Sequence, residues 1–407
     1  MKCMRCGKEL QDTECVGCGF DCSVGEYMTV FPLNAVEEKA LYETVEKQVA
    51  ETEPVPTHEQ MIVEEVVKDR RDLYEIEEAA DWEDMLEIEE ETDRRDLFEI
   101  EETSDSVTIR KFKDVDSRVV IPERINGKPV TEIGERACEG RYVLSSLFIP
   151  QSVKKIGKHA FALCDDLVEV TLAGSERDMD FGVFWGCKNL SKVQIEEGVR
   201  GIGACAFVDC TGMREITIPG SVTETGIGAF RGCTGLQKVE IGEGVKEIDG
   251  SAFEGCTNLR EMTVPESVRK IGSPVFGGSI GDTFKGCTGL QKMVIGKGVE
   301  YIGSHSFENC TSLCEITIPG NVTKIETFTF SGCTGLQKIE IGEGVKEIYF
   351  GAFSGCENLR EITIPGSVTR IEKGAFVGCT SLREVSVRKG TKVKRRAFEK
   401  GTTIKYI

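Results

Sequence analysis

A repeat of 23 residues dominates the sequence and limits what the chain can fold into. A cysteine recurs at this interval, with one longer step of 31 residues, and a phenylalanine precedes each cysteine by three positions. The repeated cysteines are Cys164, Cys187, Cys210, Cys233, Cys256, Cys287, Cys310, Cys333, Cys356 and Cys379. Atypical units at both ends bring the total to about twelve. A fixed period of this length is typical of a solenoid, because a single unit cannot bury its apolar side chains alone.

Each unit contains the pattern of a short strand. In one unit Leu236, Val239 and Ile241 alternate with Lys238 and Glu240, so the apolar residues lie on one face and the charged residues on the other. A Gly or Pro turn follows, and then a Val–x–x–Ile step. We therefore predict a mainly β repeat solenoid. It has one short parallel strand per turn, roughly 4.8 Å from the next, plus short helical or second-strand segments, and it buries Phe, Cys and Leu.

The units resemble those of the BspA-like, or treponemal-type, leucine-rich-repeat family. The resemblance rests on segments such as 362–371 (I-T-I-P-G-S-V-T-R-I) and 375–379 (A-F-V-G-C), and on an entry segment at 119–122 (V-V-I-P) and 125–130 (I-N-G-K-P-V). It covers about residues 106–407. The resemblance implies a leucine-rich-repeat right-handed superhelix, and it implies binding or adhesion, often at a cell surface.

The cysteine column has two interpretations. Ten thiols in one register could form a column of metal or redox groups. Alternatively, cysteine is a small side chain that suits a tight buried position, and a free cysteine is among the most often buried residues. We favour the second interpretation because the column follows the packing register.

One outward-facing strand position alternates in charge along most of the repeat. Its residues are Glu169, Lys192, Glu215, Lys238, Glu261, Lys292, Glu315, Lys338, Glu361 and Glu384. Opposite charges on adjacent strands attract. The pattern favours a self-neutralising ladder over a charge-selective binding face.

The long step between Cys256 and Cys287 contains an insertion of eight residues. Insertions in a solenoid form loops on one face, and such loops often bind partners. Pro274, Val275 and Phe276, with Ile280, would give this loop an apolar tip, so they form a candidate binding loop. The alternative is an insertion that is tolerated without a role.

The N-terminal residues carry a separate pattern. Cys3 and Cys6 form one C-x-x-C pair, and Cys15 and Cys18 form a second, with a glycine after each pair. Two such pairs suit tetrahedral Zn²⁺, and four thiolates leave no open position, so the zinc is predicted to be structural. The pattern resembles a small zinc ribbon, which we assign to residues 1–27. A redox dithiol is the alternative.

An acidic connector is predicted at 28–105, partly helical or disordered. Within 31–105 there are 27 Asp and Glu against 7 Lys and Arg, which accounts for the net charge of −19 of the 407-residue chain. A motif of the form D-x-x-E-I-E-E recurs every 12 residues, at 72–78, 84–90 and 96–102. These copies are either short docking motifs or parts of a solvated spacer. The solenoid is assigned to 106–407.

The predicted function is a non-catalytic protein–protein interaction scaffold. A secreted or cell-surface adhesin is the alternative that the family resemblance implies.

The acidic connector makes nucleic acid an unfavourable partner, and no apolar segment is long enough for a membrane span. We find no apolar signal segment, so a cytoplasmic location is expected. His159 and His305 occupy one variable repeat position and are expected to be exposed, and no catalytic motif is visible.

Overall fold

The computed structural model describes residues 97–113, 116–272 and 281–407, and two short strands near the N-terminus. The chain divides into two compact units, Met1–Glu91 and Thr92–Ile407. The second unit is a β-solenoid of about 13 turns, with parallel strands about 23 residues apart. Its described residues contain no α-helix, so the second-strand alternative for the remaining segments is confirmed.

The first set of strands contains the L-x-x-V-x-I segments. Neighbouring strands pair in parallel and in register, so that each residue lies opposite its equivalent in the next repeat. Glu215 lies opposite Lys238, and Glu315 lies opposite Lys338. The strands are β5 (Arg118–Val120), β8 (Ser146–Ile149), β10 (Glu169–Leu172), β12 (Lys192–Ile195), β13 (Glu215–Ile218), β14 (Lys238–Ile241), β16 (Glu261–Val264), β18 (Lys292–Ile295), β20 (Glu315–Ile318), β22 (Lys338–Ile341), β24 (Glu361–Thr363), β26 (Glu384–Val387) and β28 (Thr403–Tyr406). We call the outward side of these strands the long-strand face.

The second set of strands contains the Val–x–x–Ile steps and forms another side of each turn. They are β9 (Lys155–Ile156), β11 (Asp178–Met179), β15 (Glu247–Ile248), β17 (Lys270–Ile271), β19 (Tyr301–Ile302), β21 (Lys324–Ile325), β23 (Glu347–Ile348), β25 (Arg370–Ile371) and β27 (Lys392–Val393). Lys270 pairs with Tyr301 across the insertion, so the stack keeps its register there.

A hairpin covers the N-terminal end of the solenoid. It consists of β3 (Phe98–Glu102) and β4 (Val107–Phe112), which pair antiparallel. On its other side β4 pairs in parallel with β7 (Lys128–Ile133). A short strand, β6 (Arg124–Ile125), pairs with β7. The boundary predicted at 105/106 therefore lies in the turn of this hairpin. The first unit contains β1 (Leu10–Gln11) antiparallel to β2 (Glu14–Cys15).

The phenylalanine column forms the centre of the core. From Phe161 to Phe376 every ring in the column is fully buried. Consecutive rings from Phe161 to Phe398 lie 4.8–5.6 Å apart between centroids, with interplanar angles of 2–16°. Because each ring contacts the ring above and the ring below, the column links every turn to its neighbours.

The cysteine column lies beside the rings and supports the packing interpretation. The ten column cysteines are free and buried. From Cys187 onwards each thiol donates a hydrogen bond to the carbonyl of the preceding turn's phenylalanine, as from Cys233 to Phe207 at 3.0 Å. Burial raises the pKa of Cys287 to about 12. A buried, protonated thiol is a poor metal ligand and a poor nucleophile.

A left-handed residue precedes each column cysteine and explains the glycines there. Gly232 and Gly255 both have φ of +72°. Asp209 and Asn309 adopt the same conformation at the equivalent position, at +57° and +60°. Glycine takes this conformation at no steric cost, and Asn and Asp tolerate it better than most residues.

Arg177 is a buried charge that the repeat pattern does not predict. It stands near the position where other turns have valine, and its side chain is 2% exposed. Its guanidinium donates to the carbonyls of Val153, Pro150 and Ala173 at 2.7–3.1 Å. Burial lowers the pKa of Arg177 to about 10. The arginine thus satisfies carbonyls at an irregular corner of the solenoid.

We predict that Phe230→Ala destabilises the solenoid by about 3–5 kcal/mol, because it removes a ring packed on both faces and leaves a cavity. Phe350→Ala serves as the control, since Phe350 is 45% exposed, and it should cost about 1 kcal/mol or less. Urea unfolding followed by circular dichroism measures both. Equal losses in the two variants would contradict the central role of the ring column.

Candidate functional site

The predicted zinc ligands fall mostly outside the described residues. Cys3, Cys6 and Cys18 are not described, and of Cys15 the structure gives the backbone, which pairs with Leu10 in the β1–β2 hairpin. The hairpin follows the first C-x-x-C pair and ends at Cys15, the first cysteine of the second pair. The zinc ribbon remains a prediction.

The candidate binding loop also lies outside the described residues. Pro274, Val275, Phe276 and Ile280 belong to the segment 273–280, for which no structure is given. Its two flanking glycines are described and lie together. A Cβ on Gly272 would be 3.2 Å from the carbonyl oxygen of Gly281. The chain therefore leaves and re-enters the stack at one corner, and the insertion does not separate the turns.

Four charged or titratable side chains lie beside that corner, on two consecutive turns. The Lys285 ammonium is 3.4 Å from carboxylates of both Asp282 and Glu308, and His305 Nδ1 is 2.9 Å from Glu308 Oε2. The ligand atoms of Asp282, His305 and Glu308 lie within 4.8 Å of one another, as a metal site would require. Lys285 already supplies a cation to both carboxylates, so this cluster works as an ion-pair network.

Burial shapes the electrostatics of this corner. It raises the pKa of Asp282, although Lys285 and His305 oppose the shift. It also raises the pKa of Glu254 on the preceding turn, where the neighbouring Asp282 adds to the effect. Both carboxylates therefore hold their protons more tightly in the folded protein than in the unfolded chain.

The long-strand face carries the predicted charge column, and the strand register brings unlike charges together. Lys338 lies opposite Glu315 on one side and Glu361 on the other. Its ion pair, however, runs along its own strand to Glu340, at 2.8 Å. Lys238 pairs in the same way with Glu240, at 2.6 Å. A hydrogen bond to the paired glutamate raises the pKa of each lysine, and the cross-strand glutamates add to this.

A shallow depression of about 470 Å³ lies on this face, across four consecutive strands. The residues that line it are Gln291, Lys292, Cys314, Glu315, Gln337, Lys338, Arg360 and Glu361. The lining combines both signs of charge with amides and one exposed thiol. Such a surface offers hydrogen bonds and charge contacts to a partner protein.

Two aromatic groups at the corners were not predicted. His159 lies 5.4 Å from Phe181 and 5.5 Å from Trp185, between ring centroids. His305 begins a second group, 5.1 Å from Phe328. Both histidines are half-buried and have positive φ, so the expectation that they are exposed was wrong. The signal in the sequence was the shared position of His159, His305 and Phe328, two residues before the core phenylalanine.

The fold and its columns define a leucine-rich-repeat solenoid. The profile described as "BspA type Leucine rich repeat region" matches residues 131–179, 177–282 and 279–405. The chain belongs to this family. A search of curated proteins gave no match. Among the described residues, no helix is long and apolar enough to cross a membrane.

Solved structures with similar repeats come from several bacteria. A leucine-rich repeat protein from Bacteroides ovatus is 25% identical, over 76% of this chain and 98% of that one, with a TM-score of 0.38. A leucine rich cell surface protein from Faecalibacterium prausnitzii is 24% identical, over 74% and 93%, with a TM-score of 0.34. The pneumococcal vaccine antigen PcpA is 20% identical, over 75% and 76%, with a TM-score of 0.44. The similarity extends to the repeat fold only.

We predict that Glu254→Gln raises the urea midpoint at pH 7, because the ionised Glu254 carboxylate is held in a desolvated position. The raised pKa favours folding when the group is protonated, below its ordinary value of 4.5, and this contribution is lost as the pH rises through the raised pKa. The gain over the wild type should therefore shrink towards pH 4.

The control for this variant is Glu240→Gln on the long-strand face. Lys238 lowers the pKa of Glu240, so this substitution should lower the urea midpoint slightly at pH 7. Urea titrations at pH 7 and pH 4 measure both variants. A loss of stability in Glu254→Gln at pH 7 would contradict the desolvation argument.

Proposed function

We propose that the protein is a non-catalytic interaction scaffold that binds a partner protein on the long-strand face. One observation carries the proposal: no described segment covers this face, and its side chains project from a rigid, in-register sheet. Leucine-rich-repeat proteins commonly bind proteins. A preformed surface of this kind binds with little loss of conformational freedom, which favours affinity.

The chemistry of the face supports a protein partner with mixed charge. Lys292 and Lys338 alternate with Glu315 and Glu361, so neither sign dominates. A polyanion would meet a glutamate on every second strand. Val294, 44% exposed, adds an apolar contact on the same face. Polar and charged contacts of this type are usual at the rims of protein interfaces.

We predict that Lys292→Glu combined with Lys338→Glu greatly reduces capture of the partner by the full chain, since both reversals place like charges beside Glu315 on the face. The control is Lys246→Glu with Lys346→Glu, which makes the same change at exposed positions just before the short strands β15 and β23. Affinity capture followed by mass spectrometry, with wild-type chain alongside, gives the comparison. Partners that are retained by the first variant and lost by the control would refute the assignment of the face.

We further propose a cytoplasmic location. The support is the column of free, buried thiols, which a reducing compartment preserves. A cell-surface or secreted adhesin, the role that the family also suggests, would place the protein outside the cell. Fractionation before affinity capture distinguishes the two, because an adhesin is found in the surface or external fraction only.

We propose that Cys3, Cys6, Cys15 and Cys18 bind one structural zinc ion. The spacing of the two pairs and the glycine after each support a tetrathiolate site. The β1–β2 hairpin, which ends at Cys15, supports it too, since a reversal of the chain brings the segments on its two sides together.

We predict one zinc per chain in the purified protein and its loss in Cys6→Ser, because three thiolates bind zinc more weakly than four. Metal analysis by mass spectrometry measures this. Cys22, the fifth cysteine of residues 1–27, lies outside both C-x-x-C pairs, so Cys22→Ser is the matched control and should keep its zinc. If both variants retain the metal, or if the wild type contains none, the tetrathiolate assignment is wrong.

A further inference from the structure

The C-terminal end of the solenoid is strongly basic. Residues 383–407 contain nine Lys and Arg against two Glu. The cations are all exposed, and they are Arg383, Arg388, Lys389, Lys392, Lys394, Arg395, Arg396, Lys400 and Lys405. Among the described residues only Lys405 has a carboxylate partner, Glu384, at 2.6 Å. The second glutamate, Glu399, is engaged by the backbone amides of Gly378 and Lys400. We call this region the basic end.

The basic end also has an open strand edge. Strand β28 pairs with β26 on one side, and no described strand pairs with its other side. The side chains at this edge are partly apolar, since Tyr406 is 51% and Ile407 72% exposed. An unpaired edge presents backbone donors and acceptors on which another strand can form.

At the N-terminal end of the solenoid, an acidic strand already pairs with the edge of a sheet and contacts its cations. Strand β3 (Phe98–Glu102) lies within the third copy of the acidic repeat, 96–102, and it forms the outer strand of the N-terminal hairpin. Phe98 is buried against Phe112, with ring centroids 5.1 Å apart. The acidic side chains reach neighbouring cations, and Glu102 pairs with Lys128 at 2.6 Å. This acidic repeat is thus a capping strand.

The other two copies have the same pattern of side chains. Residues 72–78 (D-L-Y-E-I-E-E) and 84–90 (D-M-L-E-I-E-E) match 96–102 (D-L-F-E-I-E-E) at every acidic position and at each apolar one by type. We propose that one of these two repeats, from a second copy of the chain, adds a strand to the outer edge of β28, with its glutamates on the cations of the basic end. This is strand addition with charge complementarity.

The length of the chain favours a second copy over the same one. Position 90 precedes position 97 by seven steps along the chain, and an extended chain covers roughly 25 Å in that distance. The stack of about 13 turns, at roughly 4.8 Å per turn, is about 60 Å long. The repeat at 84–90 therefore cannot reach β28 of its own chain. The repeat at 72–78 could do so only if nearly fully extended, which is entropically unfavourable.

Sedimentation equilibrium of the full chain tests the proposal. At low ionic strength we expect a mass that exceeds the 44.8 kDa monomer and rises with concentration. At 0.5 M salt it should fall towards the monomer, since salt screens exposed charges. Lys394→Glu with Lys400→Glu should weaken the association about tenfold or more, because it removes two attractions and adds repulsion. A monomer under all conditions would overturn the proposal.

Two matched controls distinguish docking of the repeats on the basic end from general charge attraction. Lys246→Glu with Lys346→Glu makes the same charge change away from the basic end and should leave association unaltered. A variant that combines Glu75→Gln, Glu77→Gln, Glu87→Gln and Glu89→Gln should abolish it. A variant that combines Glu37→Gln, Glu38→Gln, Glu43→Gln and Glu46→Gln should not. If the two sets of glutamine variants act equally, general charge attraction explains the association and the repeats are not docking strands.

The same measurement separates this contact from the scaffold function. Lys292→Glu with Lys338→Glu changes the long-strand face and should leave self-association as in the wild type. Hydrogen exchange of the full chain locates the contact. The amides of Thr403 and Ile407 already donate hydrogen bonds on the β26 side, so the alternate amides of Ile404 and Tyr406 face the open edge. These two should be protected in the associated state and should exchange faster when salt dissociates it. No change there would show that β28 is not the docking edge.

Discussion

The structure depends on the stacking of equivalent positions, one turn directly above the next. Because the turns are in register, a side chain that fits in one turn must also fit against its own copy about 4.8 Å away. Phenylalanine satisfies this by parallel stacking of its rings, and cysteine satisfies it by a thiol hydrogen bond to the previous turn. Every position in the repeat thereby becomes a column. Stability then comes from contacts between neighbouring turns, which together form one continuous core along the stack.

The same constraint explains why so much of the fold could be predicted from sequence. Period, strand position, register and the buried columns all follow from the spacing of Phe230, Cys233 and Leu236 and their equivalents. The structure departs from the sequence-based prediction where one turn differs from its neighbours. Arg177 is buried although its register equivalents Lys154 and Arg200 are exposed, and it bonds to carbonyls of an irregular corner, a contact that no periodic pattern specifies. Lys238 could reach several glutamates, and the sequence does not say which one it contacts.

The acidic repeat shows a different limit of sequence reasoning. Composition places residues 96–102 with an acidic connector, and the last copy of the 12-residue motif looks the same as the others. In the structure Phe98 and Ile100 pack on the solenoid, because the N-terminal edge offers both apolar surface and the cations Arg110 and Lys128. The context of the motif, and not its composition, decides that this copy is a strand. An identical motif is expected to respond in the same way to a similar edge.

The stacking of equivalent positions also explains the charge pattern of the long-strand face. Adjacent turns differ in charge while alternate turns are alike, so like charges recur at about twice the strand spacing, roughly 9.6 Å. A partner that matched this spacing would meet attraction at successive contacts, whereas a shift by one strand would place like charges together. Charge on such a face therefore contributes to register and selectivity more than to affinity. The rigid sheet makes this discrimination possible, because Lys292, Glu315 and Lys338 are fixed relative to one another by the backbone pairing of their strands.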